Sequence, residues 1–150
     1  MLPPLRPLAL DAHSRFDLVI LAYPVLFLSP SLPVTAFLKS PAAQVLKDTP
    51  VISLIGCRNM WIRAQQTLQA LLRDAGARLI DNVVLVDQGS PWVTFVTTPR
   101  WLLTGKKDGF WRIFPPAGIS DAAIAGSARF GRALADSLYL LQSNPGAFLL

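Results

Sequence analysis

The stretch Tyr23-Pro24-Val25-Leu26-Phe27-Leu28-Ser29-Pro30-Ser31-Leu32-Pro33 sets aliphatic and aromatic side chains beside hydroxyls and prolines. A flat heteroaromatic ring asks for that combination: apolar contact on its faces and a few amides or hydroxyls at its edge. An ordinary connecting loop offers similar residues, so position has to decide between the two. A second stretch, Gly56-Cys57-Arg58-Asn59-Met60-Trp61, brings an aromatic ring and polar groups together. Trp61 also falls on the periodic apolar positions of a following helix, where it would simply pack. Cys57 reads as a packed strand-end thiol, because Arg58 alone gives thin support for the lowered pKa a nucleophile needs. As the only cysteine it excludes a disulfide scaffold. His13, the only histidine, has no second ligand or nucleophile near it in sequence and reads as a solvated surface group. No general base is singled out, Asp87 and His13 being guesses.

Elements must hold these stretches in place. Asp17-Leu18-Val19-Ile20-Leu21-Ala22 is a short apolar run rich in β-branched residues, the pattern of a strand covered on both faces. Ser31 and Pro33 then suit the start of a helix through Leu38, and Pro41 to Leu46 can add a further turn. A second strand is expected over Val51–Ile55, ending at Gly56. The clearest helix runs from Met60 to Ala75, with Trp61, Ala64, Leu68, Leu71 and Leu72 on one face and Gly76 ending it. A third strand is expected over Arg78–Val86. From 87 to 118 the pattern dissolves into an aromatic insertion holding Trp92, Trp101 and Trp111, a loop long enough to be functional. Ser120 caps a final helix lined by Ile124, Ala128, Leu134, Leu138 and Leu141. Residues 1–15 read as a proline-rich lead-in and 143–150 as a tail. Strands alternating with helices imply a parallel sheet with right-handed crossovers and helices on both faces. Ligands bind at the carboxyl ends of such strands. That rule selects three loops: Tyr23–Pro33, Cys57–Trp61, and the segment from Asp87 onward.

Composition narrows the class. At 150 residues the chain fits a single domain. Its apolar fraction is 52%, its mean hydropathy +0.43 and its charged fraction 15%, which excludes intrinsic disorder. The uncharged run from Leu18 to Leu38 is long enough to cross a bilayer. Pro24, Pro30 and Pro33 would break a lipid-exposed helix there, so no membrane span is expected. Prolines near Met1 replace the basic and apolar segments of a secretory signal, and a cytoplasmic protein is expected. The net charge of +5 comes from scattered Lys and Arg rather than a basic stripe. No nucleic-acid partner is therefore expected, and a small anionic ligand suits the charge better.

With these residues in view, Asp17 to Leu38 resembles the flavodoxin-like flavoproteins, in which a strand of this type leads to a loop bordering the isoalloxazine ring. The resemblance implies that Tyr23, Pro24, Val25, Leu26 and Phe27 contact flavin mononucleotide (FMN). Cys57, Arg58, Asn59 and Trp61 fall where such proteins place a second flavin-contacting loop, Trp61 stacking on the ring and Asn59 bonding its polar edge. Further stretches narrow the likeness: Ser29 to Val34 with Phe37 to Ala43, Gly76 to Asn82, and Thr97-Thr98-Pro99-Arg100-Trp101 with Thr104-Gly105-Lys106-Lys107. Together, over about residues 5–140, they resemble the bacterial dialkylresorcinol-biosynthesis proteins, labelled condensing enzymes and better viewed as aromatases. That family implies a flavin-dependent oxidation of a cyclic dione to a resorcinol. It implies an acyl-chain-bearing small-molecule substrate and, as partners, a pathway ketosynthase or a second copy of the chain. Trp92 to Trp111 would cover the alkyl tails, with Arg100, Lys106 and Lys107 near an anionic group.

One departure stands against the likeness. Flavodoxin-like folds open with a strand and a Ser/Thr/Gly-rich loop that wraps the FMN phosphate at a helix N-terminus. No Gly-rich turn precedes Asp17. The expectation is thus a flavodoxin-like three-layer sandwich with a parallel sheet, N-terminally incomplete, in which FMN binding is weak or absent. The alternative is a non-enzymatic α/β module that needs a partner chain to complete its sheet.

Overall fold

The computed structural model describes residues 2–6, 14–106, 108–109 and 116–143. The expectations on His13, Lys107, Trp111 and residues 144–150 lie outside them. The first strand, β1 (Val19–Leu26), runs through Tyr23 and Pro24 and turns back at once into β2 (Ser29–Pro30). Helix α1 (Leu32–Leu38) follows, with proline in its first turn, and then a 3-10 turn over Pro41–Leu46. β3 (Pro50–Cys57), α2 (Ile62–Asp74) and β4 (Arg78–Val86) come next. Among the described residues three helices follow: α3 (Pro91–Thr104), α4 (Asp121–Gly126) and α5 (Ala128–Ser143). The sheet order is β2-β1-β3-β4. β1, β3 and β4 are parallel, and only the two-residue β2 is antiparallel. The chain is therefore an α/β protein with a mostly parallel four-stranded sheet.

The crossover β1→β3 and the crossover β3→β4 step across the sheet in the same direction. Right-handed connections then put both crossing helices on one face. The core obeys this. Val51 and Ile55 of β3 are fully buried against Ala64, Leu68 and Leu72 of α2, with Leu38 of α1 and Leu46 of the 3-10 turn beside them. β3 alternates strictly, its odd residues buried and its even ones half-exposed. The opposite face carries Ile20, Ala22 and Pro24 of β1 next to Ile52, Leu54 and Gly56 of β3. Ile20 is 55% exposed, and Ala22 and Pro24 are exposed as well. Equal cover on both faces was expected; among the described residues the second face is only partly covered. Its cover at the carboxyl end is the segment before α4, where a Cβ on Gly56 would meet Ile119 Cδ1 at 3.5 Å.

The largest departure from the sequence expectation is α3, a 14-residue helix within what read as an irregular insertion. The β-branched run Val93 to Thr98 and the internal Pro99 masked it, since both weigh against a helix. Its end signals were legible. The Ser90 side chain accepts from Val93 N–H, proline occupies the first turn, and Gly105 closes the helix at φ 69°. The final helix is also split: Ser127 alone separates α4, which ends at Gly126, from α5. Ser120 caps α4 as expected, accepting from Ala123 N–H at 3.2 Å.

Candidate functional site

In the parallel register Pro24 lies opposite Gly56, Gly56 opposite Leu85, and Cys57 opposite Val86. The chain after β1, β3 and β4 therefore leaves the sheet along one carboxyl edge, where ligands of parallel sheets bind.

Alternation along the strands divides the predicted site residues. Tyr23, Val25 and Cys57 point toward α2 and join the core or its margin, and Trp61 packs against it half-buried. Pro24, Leu26 and Phe27 are exposed, as are Arg58 and Asn59. Pro24, Leu26 and Phe27 at the end of β1 and Arg58 and Asn59 after β3 thus lie exposed at the same end of the sheet, with Trp61 half-buried beside the core and Tyr23, Val25 and Cys57 on the covered face.

The turn between β1 and β2 is made by Phe27 at φ 48° and Leu28 at φ 64°. Leu26 pairs with Ser29, so the loop has two residues. Two-residue hairpin loops with both residues left-handed normally use Asn-Gly, because a Cβ is strained there. Here a fully exposed phenylalanine and a leucine occupy both positions. Strained bulky residues of this kind gather at functional edges rather than in plain connections.

Beyond β3, the Arg58 guanidinium lies 4.7 Å over the Phe95 ring, which is 6.3 Å from that of Trp92. This stacking ties the loop after β3 to α3. Beyond β4, Asp87 uses both carboxylate oxygens. Oδ1 accepts from Gly89 N–H and Oδ2 from Gly118 N–H, each at 2.9 Å. Gln88 Nε2 donates to the Pro116 carbonyl at 2.9 Å. Gly118 has φ 92°, a conformation glycine takes without strain. Asp87, one of the two guesses for a base, is thus a clamp that holds the segment before α4 on the sheet. Beside it a cleft of about 320 Å³ is lined by Gln88, Asp108, Pro116, Ile119, Ser120 and Asp121. Its carboxylates have the wrong sign for a phosphate. No group of three metal-ligating side chains occurs among the described residues.

A polar cluster that sequence reading missed lies under the edge. Tyr23 O–H donates to Gln65 Oε1 at 3.0 Å, and Gln65 Nε2 donates to Ser53 Oγ at 3.0 Å. The Tyr23 hydroxyl is pushed up to about 12, first by burial and then by the neighbouring Cys57. Burial also raises the Cys57 thiol, which makes it a packed group rather than a nucleophile. The available signal was the place of Gln65, between Ala64 and Leu68 on the helix and one turn after Trp61.

Comparison with known proteins finds no matching family model, no matching curated protein and no matching solved structure.

Proposed function

We propose that the chain is a flavodoxin-like oxidoreductase domain that takes the isoalloxazine ring of flavin at its carboxyl edge and oxidises a cyclic dione to a resorcinol. The observation that carries this proposal is the adjacency of the exposed apolar strip Pro24, Leu26 and Phe27 to Arg58 and Asn59 at the ends of paired parallel strands. The strip offers apolar contact to a flat ring. Asn59 offers a polar edge contact, and the Arg58 guanidinium favours negative charge on the ring. Bound flavin would supply a hydride acceptor. The chain's own part is to orient the ring, to keep water from the apolar strip and to hold the dione's alkyl chain near Trp92 and Phe95.

No Ser/Thr/Gly-rich phosphate loop precedes β1 among the described residues, and two of the three helices that follow the parallel strands are poor phosphate sites. α1 and α3 both carry proline in the first turn, which removes a backbone donor each, and the cleft at Gln88 is acidic. Riboflavin is therefore expected to bind as tightly as FMN. Titration of flavin fluorescence with purified protein tests this. Quenching of both flavins, weakened about tenfold by Arg58→Ala, supports the proposal; quenching of neither overturns it.

A second proposal is a sheet completed by another chain. One observation favours it: from Val19 to Pro24 the outer edge of β1 has no strand partner among the described residues. Light scattering would count against it if the protein stayed monomeric across concentration.

A further inference from the structure

We propose that α3 and the Phe27–Leu28 turn form a docking surface for an anionic phospholipid membrane, on which the protein lies peripherally. This proposal goes beyond the flavin function; it shares Phe27, Trp92 and Phe95 with that reading but rests on their exposure and on charge alone.

Helix α3 exposes its large apolar side chains and buries a hydroxyl. It turns Thr97 inward, and the Thr97 hydroxyl is buried without a hydrogen-bond partner among the described residues. It turns Trp92, Leu102 and Leu103 outward, at 83, 76 and 86% exposure. Water stabilises the opposite arrangement on both counts, since it solvates hydroxyls and disfavours exposed leucine. The turn adds Phe27, fully exposed and held at positive φ. Packing among the described residues leaves Trp92, Leu102, Leu103 and Phe27 exposed, and an apolar medium outside the protein would cover them.

Charge selects the medium. No acidic residue occurs between Ser90 and Lys106, a stretch that contains all of α3. Arg58 stands over Phe95, Arg100 belongs to α3, and Lys106 follows it. Asp108 pairs with Arg100 at 3.4 Å, so the net positive charge of this surface rests on Arg58 and Lys106, while Asp87 holds two backbone amides. Aromatic and aliphatic side chains with cations at their margin are the pattern of a helix lying in the headgroup layer. α3 has 14 residues, about 21 Å of helix. That suits lying in the plane, and no described helix is long and apolar enough to cross a membrane.

Vesicle flotation tests the proposal, with vesicles of phosphatidylcholine alone and of phosphatidylcholine mixed with phosphatidylserine. Binding to the mixed vesicles should be about tenfold tighter, should weaken with salt, and should shift tryptophan emission to the blue. The double variant Leu102→Asp with Leu103→Asp should lose about tenfold or more of that binding. Both positions are exposed, so its circular dichroism should match the parent. Equal affinity for the two vesicles, or full retention by the double variant, would overturn the proposal. So would self-association that the variant abolishes without any vesicle binding, because a second copy of the chain would then own the surface.

Discussion

Between β3 and α2 the facing side chains form a close-packed core; along the carboxyl edge several side chains break the rules such a core keeps. On the closed face Val51, Ile55, Leu68 and Leu72 are fully buried, and the one polar group among them, Ser53, shares hydrogen bonds with Gln65. At the edge, bulky residues take left-handed backbone, leucines and a tryptophan face out, and a threonine hydroxyl is buried alone. The two regions share one chain, so overall composition does not separate them. The difference teaches where stability is made and where it is given up. Local rules are kept where packing is the task and broken along the edge, where the proposed flavin and membrane contacts fall.

The comparison breaks most sharply in the core. Leu68→Ala should cost about 2–5 kcal/mol by leaving a cavity under β3, whereas Ile20→Thr on the open face should change stability by about 0.5 kcal/mol or less. Urea denaturation measures both, and equal losses would mean that the second face is as well packed as the first. The turn should respond in the opposite direction. Phe27→Asn combined with Leu28→Gly relieves two strained residues and should raise stability by about 2 kcal/mol. The same variant should lose vesicle binding, and higher stability with unchanged binding would show the strain to be incidental.

The buried polar cluster sharpens the contrast further. Gln65→Leu strands the hydroxyls of Tyr23 and Ser53 and should cost about 1–3 kcal/mol. The pH dependence has a definite sign. The Tyr23 hydroxyl has a higher pKa folded than its ordinary 10.0, so its contribution is complete below pH 10 and is lost as pH rises toward about 12. Tyr23→Phe should flatten that alkaline limb in denaturation measured across the window. The smallest effect belongs to α3. Thr97→Val removes a buried, unpaired hydroxyl at constant shape and should raise the melting temperature by a few degrees, corresponding to about 1 kcal/mol. A loss instead would mean that the hydroxyl has a partner in solution.

Much of the frame was legible in the residues. The apolar run before Tyr23 marked β1, and the spacing of Ala64, Leu68, Leu71 and Leu72 marked α2, because periodicity records which side of an element is buried. The three strand-end loops followed from alternation of strand and helix alone. Within those loops the sequence could not say which side chains face out. Whether Tyr23 or Pro24 met the edge depended on where the strand ended. β1 continues to Leu26, beyond the expected Ala22, and each added residue reverses the side chain's face. α3 escaped notice because its Val and Thr residues and the internal Pro99 weigh against a helix locally.

By itself, then, the sequence determined the α/β class, the parallel order of the main strands and the stripe of α2 that fills the core. These follow from local propensity and from the burial periods of helix and strand, which are written residue by residue. Only the tertiary structure decided the rest. It put both crossover helices on one face, and it left Ile20, Ala22 and Pro24 on the other. It turned Asp87 into a clamp, drew Arg58 over Phe95 and aimed Trp92, Leu102 and Leu103 at the outside. Those outcomes depend on strand order, crossover handedness and contacts between residues far apart in the chain. No window along the sequence contains them.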